Sequence, residues 1–172
     1  MQNVTASSRP PLKTILLAWF VAGTLDMLGA IVVYTVIMKK LTAEKLVRGI
    51  ASGVFKKEAF SGGNEMIFYG VAFHYLIAFA FTIFYFIIFP YISFFRKQKV
   101  IGGLLYGLFV WAVMNLIVLR IVFPNPSPIT LKGAVIGASI LMVMIGLTLS
   151  YFANKYYRDK KSGGMNTELK LT

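Results

Sequence analysis

Five polar side chains interrupt long apolar stretches of this sequence, where ionic or hydrogen-bonding chemistry would be shielded from water. They are Asp26, His74, Asn115, Arg120 and Ser139. A carboxylate at the centre of an apolar membrane segment costs roughly 2.5–3.5 kcal/mol, and acids in such positions commonly bind a proton or a polar solute. Asp26 is therefore the leading candidate for a functional residue. The other four are candidates for the same ligand- or proton-binding site.

The elements that must position these side chains are four long apolar runs. A helix needs about 20 apolar residues to cross a bilayer. Runs of that length cover residues 14–38, 67–89, 102–123 and 131–153. Basic and aromatic residues flank several of their ends, as is usual at the membrane surface.

The composition supports a membrane location. Hydrophobic residues make up 58% of the chain and charged residues 14%, whereas soluble domains carry about 25% charged residues. The sequence predicts an all-α integral membrane bundle of four transmembrane helices. This bundle forms one domain over residues 14–155, between a polar N-terminal tail (1–13) and a basic, flexible C-terminal tail (156–172).

The loop between the first two runs predicts a short amphipathic helix over residues 43–55, with Thr42 as its N-cap. Its apolar face consists of Leu46, Val47, Ile50 and Val54, and its polar face of Glu44, Lys45, Arg48 and Ser52. Such a helix can lie in the membrane interface or pack on the bundle as a surface helix. The sequence leaves both arrangements open.

The polar side chains fall within the same half of the bilayer. With a helical rise of about 1.5 Å per residue, Asp26 lies about 18 Å below the face that carries loops 1–2 and 3–4. The corresponding depths are about 10–12 Å for His74, Asn115 and Ser139, and about 4–5 Å for Arg120. We therefore expect a polar pocket that opens toward this face, with Asp26 at its floor and Arg120 at its rim.

Each of these residues also has an ordinary structural interpretation. Asp26 could hydrogen-bond to a hydroxyl group or to His74 and hold the helices in register. A backbone carbonyl can satisfy His74, Asn115 can serve as a packing contact, and Arg120 can anchor in the lipid head groups. The site interpretation is favoured for Asp26 because interhelical hydrogen bonds contribute only about 0.6 kcal/mol on average.

Several function classes are not expected. The chain has no cysteine and one histidine, and it lacks a phosphate-binding glycine loop, so we expect neither an enzyme nor a cofactor. Asp26 and His74 supply two metal ligands at most, so no metal site is expected. The net charge of +12 comes from basic residues that lie mostly outside the apolar runs, where they would contact anionic lipids rather than nucleic acid.

The distribution of basic residues predicts the orientation. With four spans, the two tails and loop 2–3 lie on one side and carry 10 Lys and Arg residues, against 8 on the other side. The positive-inside rule then favours both termini in the cytoplasm. The proline-rich loop over residues 124–128 would be external. The expected partners are the lipid bilayer, a small polar solute or proton, and a second copy of the chain, because four helices rarely enclose a full pathway.

Several short segments resemble a family of uncharacterised bacterial four-span integral membrane proteins. These segments are Gly49-Ile-Ala-Ser-Gly-Val-Phe55, Ala59-Phe-Ser-Gly-Gly63, Phe73-His-Tyr-Leu-Ile-Ala-Phe79, Gly102-Gly-Leu-Leu-Tyr-Gly107 and Val113-Met-Asn115. The resemblance covers roughly residues 14–155 and implies a location in the bacterial inner membrane. It assigns no site residues. Two functions remain open: a small-solute or proton-coupled transport or binding protein that uses Asp26, and a structural or accessory membrane protein that binds a partner or lipid.

Overall fold

The fold consists of helices, as predicted. A computed structural model describes residues 12–123 and 128–168, with side chains described as far as residue 158. Four of its helices are long and apolar enough to cross a membrane: Leu12–Ile37 (span 1), Glu65–Ile88 (span 2), Lys99–Val122 (span 3) and Leu131–Arg158 (span 4). The described residues contain no strand. The all-α bundle and its multi-pass character are thus confirmed.

The last helix is longer than the sequence predicts. Its backbone remains helical to Glu168, so the helix extends through residues 156–168 of the predicted C-terminal tail. Lysine and arginine are good helix formers, so a helix can continue after its apolar residues end. Other predictions lie outside the described residues. They are the N-terminal tail up to residue 11, the proline-rich loop at residues 124–127, and residues 169–172.

The predicted amphipathic helix is present as Ala43–Phe55, which we term the loop helix. The Thr42 hydroxyl accepts a hydrogen bond from the Lys45 backbone N–H at 3.2 Å and so caps it as predicted. Its predicted polar face is wrong in part, because Arg48 and Ser52 are buried. Val54, assigned to the apolar face, is instead 61% exposed.

Hydrogen bonds explain why Arg48 can be buried. Its Nε donates to the Glu44 carboxylate at 2.8 Å, and its Nη1 donates to the carbonyl oxygens of Ala59 at 3.0 Å and Gly62 at 2.9 Å. A buried guanidinium is tolerated when it is paired and hydrogen-bonded in this way. The loop helix then packs directly on span 2, where a Cβ atom at Gly70 would collide with the Val47 carbonyl oxygen.

The half of the bundle next to loop 2–3 is closely packed. Its core includes Ala18, Ala22, Tyr85, Phe86, Phe89, Phe95, Tyr106, Val110, Ile145, Leu149 and Ala153. Spans 3 and 4 approach each other backbone to backbone here, because a Cβ atom at Gly146 would collide with the Gly103 carbonyl oxygen. Small residues allow this close approach between membrane helices. Any sizeable open space must therefore lie in the other half.

Three spans contain a π-helical segment, which the sequence analysis did not predict. These segments are Val32–Ile37 in span 1, Val113–Val118 in span 3 and Met142–Leu147 in span 4. Span 2 is α-helical over Glu65–Ile88. A π-helical turn accommodates an extra residue and is frequently found at functional sites. The three segments therefore direct attention to the space between spans 1, 3 and 4.

Candidate functional site

Two adjoining cavities lie in the half that carries loop 3–4, the larger between spans 3 and 4 and the smaller between spans 1, 3 and 4. The larger, which we term the outer chamber, has a volume of about 710 Å³, and its lining includes Arg120, Phe123 and Thr130. The smaller, the inner chamber, has a volume of about 200 Å³, and its lining includes Asp26 and Tyr34. Both chambers are also lined by Trp111, Asn115 and Gly133. We refer to the two chambers together as the cleft.

Asp26 is available to a ligand in the inner chamber. It lies near the middle of span 1, on the face that also carries Ala30 and Tyr34, because residues four apart project from the same side of a helix. Among the described residues, none hydrogen-bonds to the Asp26 carboxylate. The carboxylate is half-buried and lines the open space directly.

Two aromatic side chains form a wall of the inner chamber with Gly137. A Cβ atom placed at Gly137 would lie 3.1 Å from the Trp111 indole nitrogen and 3.5 Å from the Tyr34 hydroxyl oxygen. The indole nitrogen of Trp111 and the hydroxyl of Tyr34 therefore both lie close to the Gly137 backbone. The missing side chain at this position leaves room for them.

Asn115 and Arg120 extend the site toward the outer chamber. The Asn115 amide nitrogen donates to the Trp111 carbonyl oxygen at 3.0 Å, which leaves the amide oxygen as an acceptor. Arg120 is exposed and lines the outer chamber. In the part of the chain that the structure describes, the one salt bridge joins Arg48 to Glu44. Asp26 and Arg120 thus line one cleft without pairing.

His74 and Ser139 lie elsewhere. The His74 Nε2 atom is 2.8 Å from the Gly23 carbonyl oxygen and links span 2 to span 1 through a hydrogen bond. Its ring is close enough to Asp26 for charges on the two groups to interact. Ser139 is exposed, and its hydroxyl donates to the Val135 carbonyl oxygen of its own helix at 2.8 Å. The sequence predicts a pocket to which each of the four spans contributes a polar group. In the structure the cleft is instead lined by spans 1, 3 and 4.

Tyr34 and Gly137 are among the lining residues that the sequence did not single out. The eight-residue separation of Asp26 and Tyr34 was a usable signal, because both lie on one face of span 1. Gly137 follows Gly133 by four residues on span 4, and both line the inner chamber. This glycine pair marks the inward face of span 4, whereas Ser139 lies away from it.

The π-helical segments lie beside the inner chamber. Tyr34 belongs to the segment in span 1 and Asn115 to the segment in span 3. In span 4 the segment begins directly after Leu141, which lines the chamber. Each of the three spans that line the chamber thus departs from regular α-helical geometry beside it.

The described residues limit the chemistry of the site. They contain no group of three or more His, Asp or Glu residues that could hold a metal ion. The inner chamber presents one carboxylate, two aromatic rings and one amide, a set that can hold a proton or a positively charged group. Comparison with known proteins finds no matching family model, no matching curated protein and no matching solved structure.

Proposed function

We propose that this chain binds a small polar solute or a proton in the inner chamber and moves it across the membrane, with Asp26 as the binding group. One observation carries this proposal. Asp26 lines an open space and forms no hydrogen bond with another described residue. An aspartate that held the helices in register would be bonded to a neighbour, so its availability favours binding over a purely structural role.

The cleft opens toward the side of the bundle that carries loop 3–4. Its lining includes Phe123 and Thr130, which flank loop 3–4, while the opposite half of the bundle is closely packed. We infer that a solute enters from the loop 3–4 side and reaches Asp26 at the inner end. Movement to the other side would require the packed half to open.

The cellular setting belongs to the same proposal. We infer a bacterial inner membrane from the resemblance to bacterial four-span proteins, and both termini in the cytoplasm from the charge distribution of the loops. The cleft would then open to the outside of the cell. A pair of identical chains would enclose a longer pathway than four helices provide.

The test uses the fluorescence of Trp111 in the purified protein. Trp19, the other tryptophan in the chain, is replaced by phenylalanine so that the signal comes from Trp111 alone. Asp26→Asn should abolish the pH response of this signal and any proton uptake into liposomes, because an amide cannot exchange a proton. Ser139→Ala is the matched control, because among the described residues the Ser139 hydroxyl bonds within its own helix.

The opposite outcome would support a structural role. In that case Asp26→Asn keeps the full pH response, and Asp26→Leu alone lowers the thermal stability by removing a polar contact. Such a pair of results would eliminate the binding proposal.

A further inference from the structure

The cleft carries two opposite charges that do not neutralise each other. Asp26 lines the inner chamber and Arg120 the outer chamber. The one salt bridge among the described residues involves neither of them. Placing a carboxylate in a membrane segment is costly unless a counter-charge is available. The His74 ring, whose charge can act on Asp26, is held by the Gly23 carbonyl oxygen, so a ligand with one positive and one negative group would bring a direct counter-charge to each of the two residues.

The spacing of the two charges suits a small molecule. Asn115 lines both chambers and thus marks the boundary between them. From the depths given above, the backbones of Asp26 and Arg120 lie about 13–14 Å apart along the membrane normal. The flexible arginine side chain can shorten this separation from the side of the outer chamber. A short chain between an ammonium group and an acid group would span the remaining distance.

The walls favour an ammonium group at the inner end. The inner chamber, at about 200 Å³, is smaller than the roughly 300–1,000 Å³ of pockets for drug-sized ligands. Trp111 and Tyr34 both line this chamber, and an aromatic ring attracts a cation placed over its face, tryptophan most of all. A hard metal cation is less suitable because it needs about six oxygen ligands, more than these side chains provide.

We propose that the cleft binds a small zwitterion, whose ammonium group pairs with Asp26 and whose acid group pairs with Arg120. This inference rests on the proposed function and names its substrate class. A lone cation would be repelled by Arg120, and a lone anion would be repelled by ionised Asp26. A free amino acid and the head group of an ethanolamine phospholipid share the required chemistry, and the test distinguishes these two sources.

The test uses three probes of matched size on the full chain, purified in detergent with Trp19→Phe. γ-Aminobutyrate carries both charges, n-butylammonium only the positive charge, and butyrate only the negative charge. Binding is measured from Trp111 fluorescence and from the melting temperature. We expect γ-aminobutyrate to bind at least about tenfold more tightly than either single-charge probe, since truncating one partner of a charge pair has effects of this size or larger.

Variants of Asp26 and Arg120 test which group of the ligand each residue binds. Asp26→Asn and Arg120→Gln should each weaken γ-aminobutyrate binding about tenfold or more. Asp26→Asn should also abolish the response to n-butylammonium. Lys132→Gln is the matched control, because Lys132 is an exposed basic residue at the same end of the bundle and does not line the cleft. Arg120 is exposed as well, so its variant remains informative even if Asp26→Asn folds poorly.

The lipid source has its own measurement. Native mass spectrometry detects phosphatidylethanolamine that remains bound after purification. If Asp26→Asn and Arg120→Gln both release this lipid and Lys132→Gln does not, the zwitterion is a lipid head group and the proposal holds for that source. If no lipid is retained and γ-aminobutyrate binds as described, the source is a free solute.

Other results would overturn the proposal. If n-butylammonium binds as tightly as γ-aminobutyrate and Arg120→Gln changes neither affinity, Arg120 is only a head-group anchor and the ligand is a simple cation. The proposed function would survive that result. If neither γ-aminobutyrate nor phosphatidylethanolamine binds and Asp26→Asn retains the full pH response, both the zwitterion and the proposed function fail.

Discussion

Replacing Gly137 by alanine should separate ligand binding from stability. The new methyl group would lie 3.1 Å from the Trp111 indole nitrogen and 3.5 Å from the Tyr34 hydroxyl oxygen. The first distance is tight enough that the indole ring must move by a few tenths of an ångström. Alanine also favours a helix over glycine by about 0.8–1.0 kcal/mol. We expect the gain in helix propensity and the strain from moving the indole ring to cancel to within about 1 kcal/mol in the free energy of unfolding.

Ligand binding should respond more strongly. The methyl group enters the inner chamber, whose volume is only about 200 Å³, and displaces the two rings that form its wall. We expect binding at Asp26 to weaken by about tenfold, which corresponds to about 1.4 kcal/mol. The assay compares the melting temperature with the titration of Trp111 fluorescence in the same preparation.

Gly49→Ala is the matched control for Gly137→Ala. A Cβ atom at Gly49 meets no described residue within 4 Å, and this glycine lies in the loop helix away from the cleft. The control should raise stability by about 0.5–1 kcal/mol and leave binding unchanged. Normal binding in Gly137→Ala would refute the conclusion that Trp111 and Tyr34 form the wall of the binding site.

Three further predictions concern the fold. Arg48→Met should lower the free energy of unfolding by about 2–4 kcal/mol, because it leaves two carbonyl oxygens unsatisfied. Lys45→Met, on the exposed side of the same helix, should change the free energy of unfolding little. Equal losses for the two variants in chemical unfolding would contradict the role of the buried guanidinium. Gly146→Ala should lower the free energy of unfolding by about 1–3 kcal/mol or more, because the new Cβ atom meets backbone atoms rather than side chains. An unchanged melting temperature would show that spans 3 and 4 are not in close contact. Single cysteines at Lys97 and Lys57 should react with a membrane-impermeant reagent from opposite sides, and labelling of both from one side would exclude the four-span topology.

The spans could be predicted because membrane insertion depends on a local property. About 20 consecutive apolar residues suffice to define a crossing, and no knowledge of neighbouring helices is needed. The loop helix was also predictable, since Thr42 supplies a cap within its own sequence. Both features arise from residues close together in the chain.

The orientation of the loop helix could not be predicted in the same way. Arg48 looks like a solvated residue because arginine is rarely buried. Its burial depends on the carbonyl oxygens of Ala59 and Gly62, which belong to a separate turn of chain. The hydrophobic pattern of one helix contains no information about acceptors supplied by another segment. The prediction therefore assigned Arg48 to the wrong face.

The cleft was partly predictable, and the reason lies in helix geometry. Depth along a regular helix follows from residue number, so Asp26, Asn115 and Arg120 were expected in one half of the bilayer, and the structure places them along one cleft. The side toward which a residue points is harder to predict when a π-helical turn intervenes. Such a turn shifts the angular position of all residues after it, and Tyr34 lies within one.

The π-helical segments offer a physical link between the packed and open halves of the bundle. In spans 3 and 4, close packing through Gly103 and Gly146 fixes the distance between the helices at one end. Toward loop 3–4 the space between the same helices is open and is lined by Trp111 and Asn115. A π-helical turn widens a helix locally and changes its direction without proline. The extra residue thus allows one pair of helices to be tightly packed in one half of the membrane and open around a carboxylate in the other.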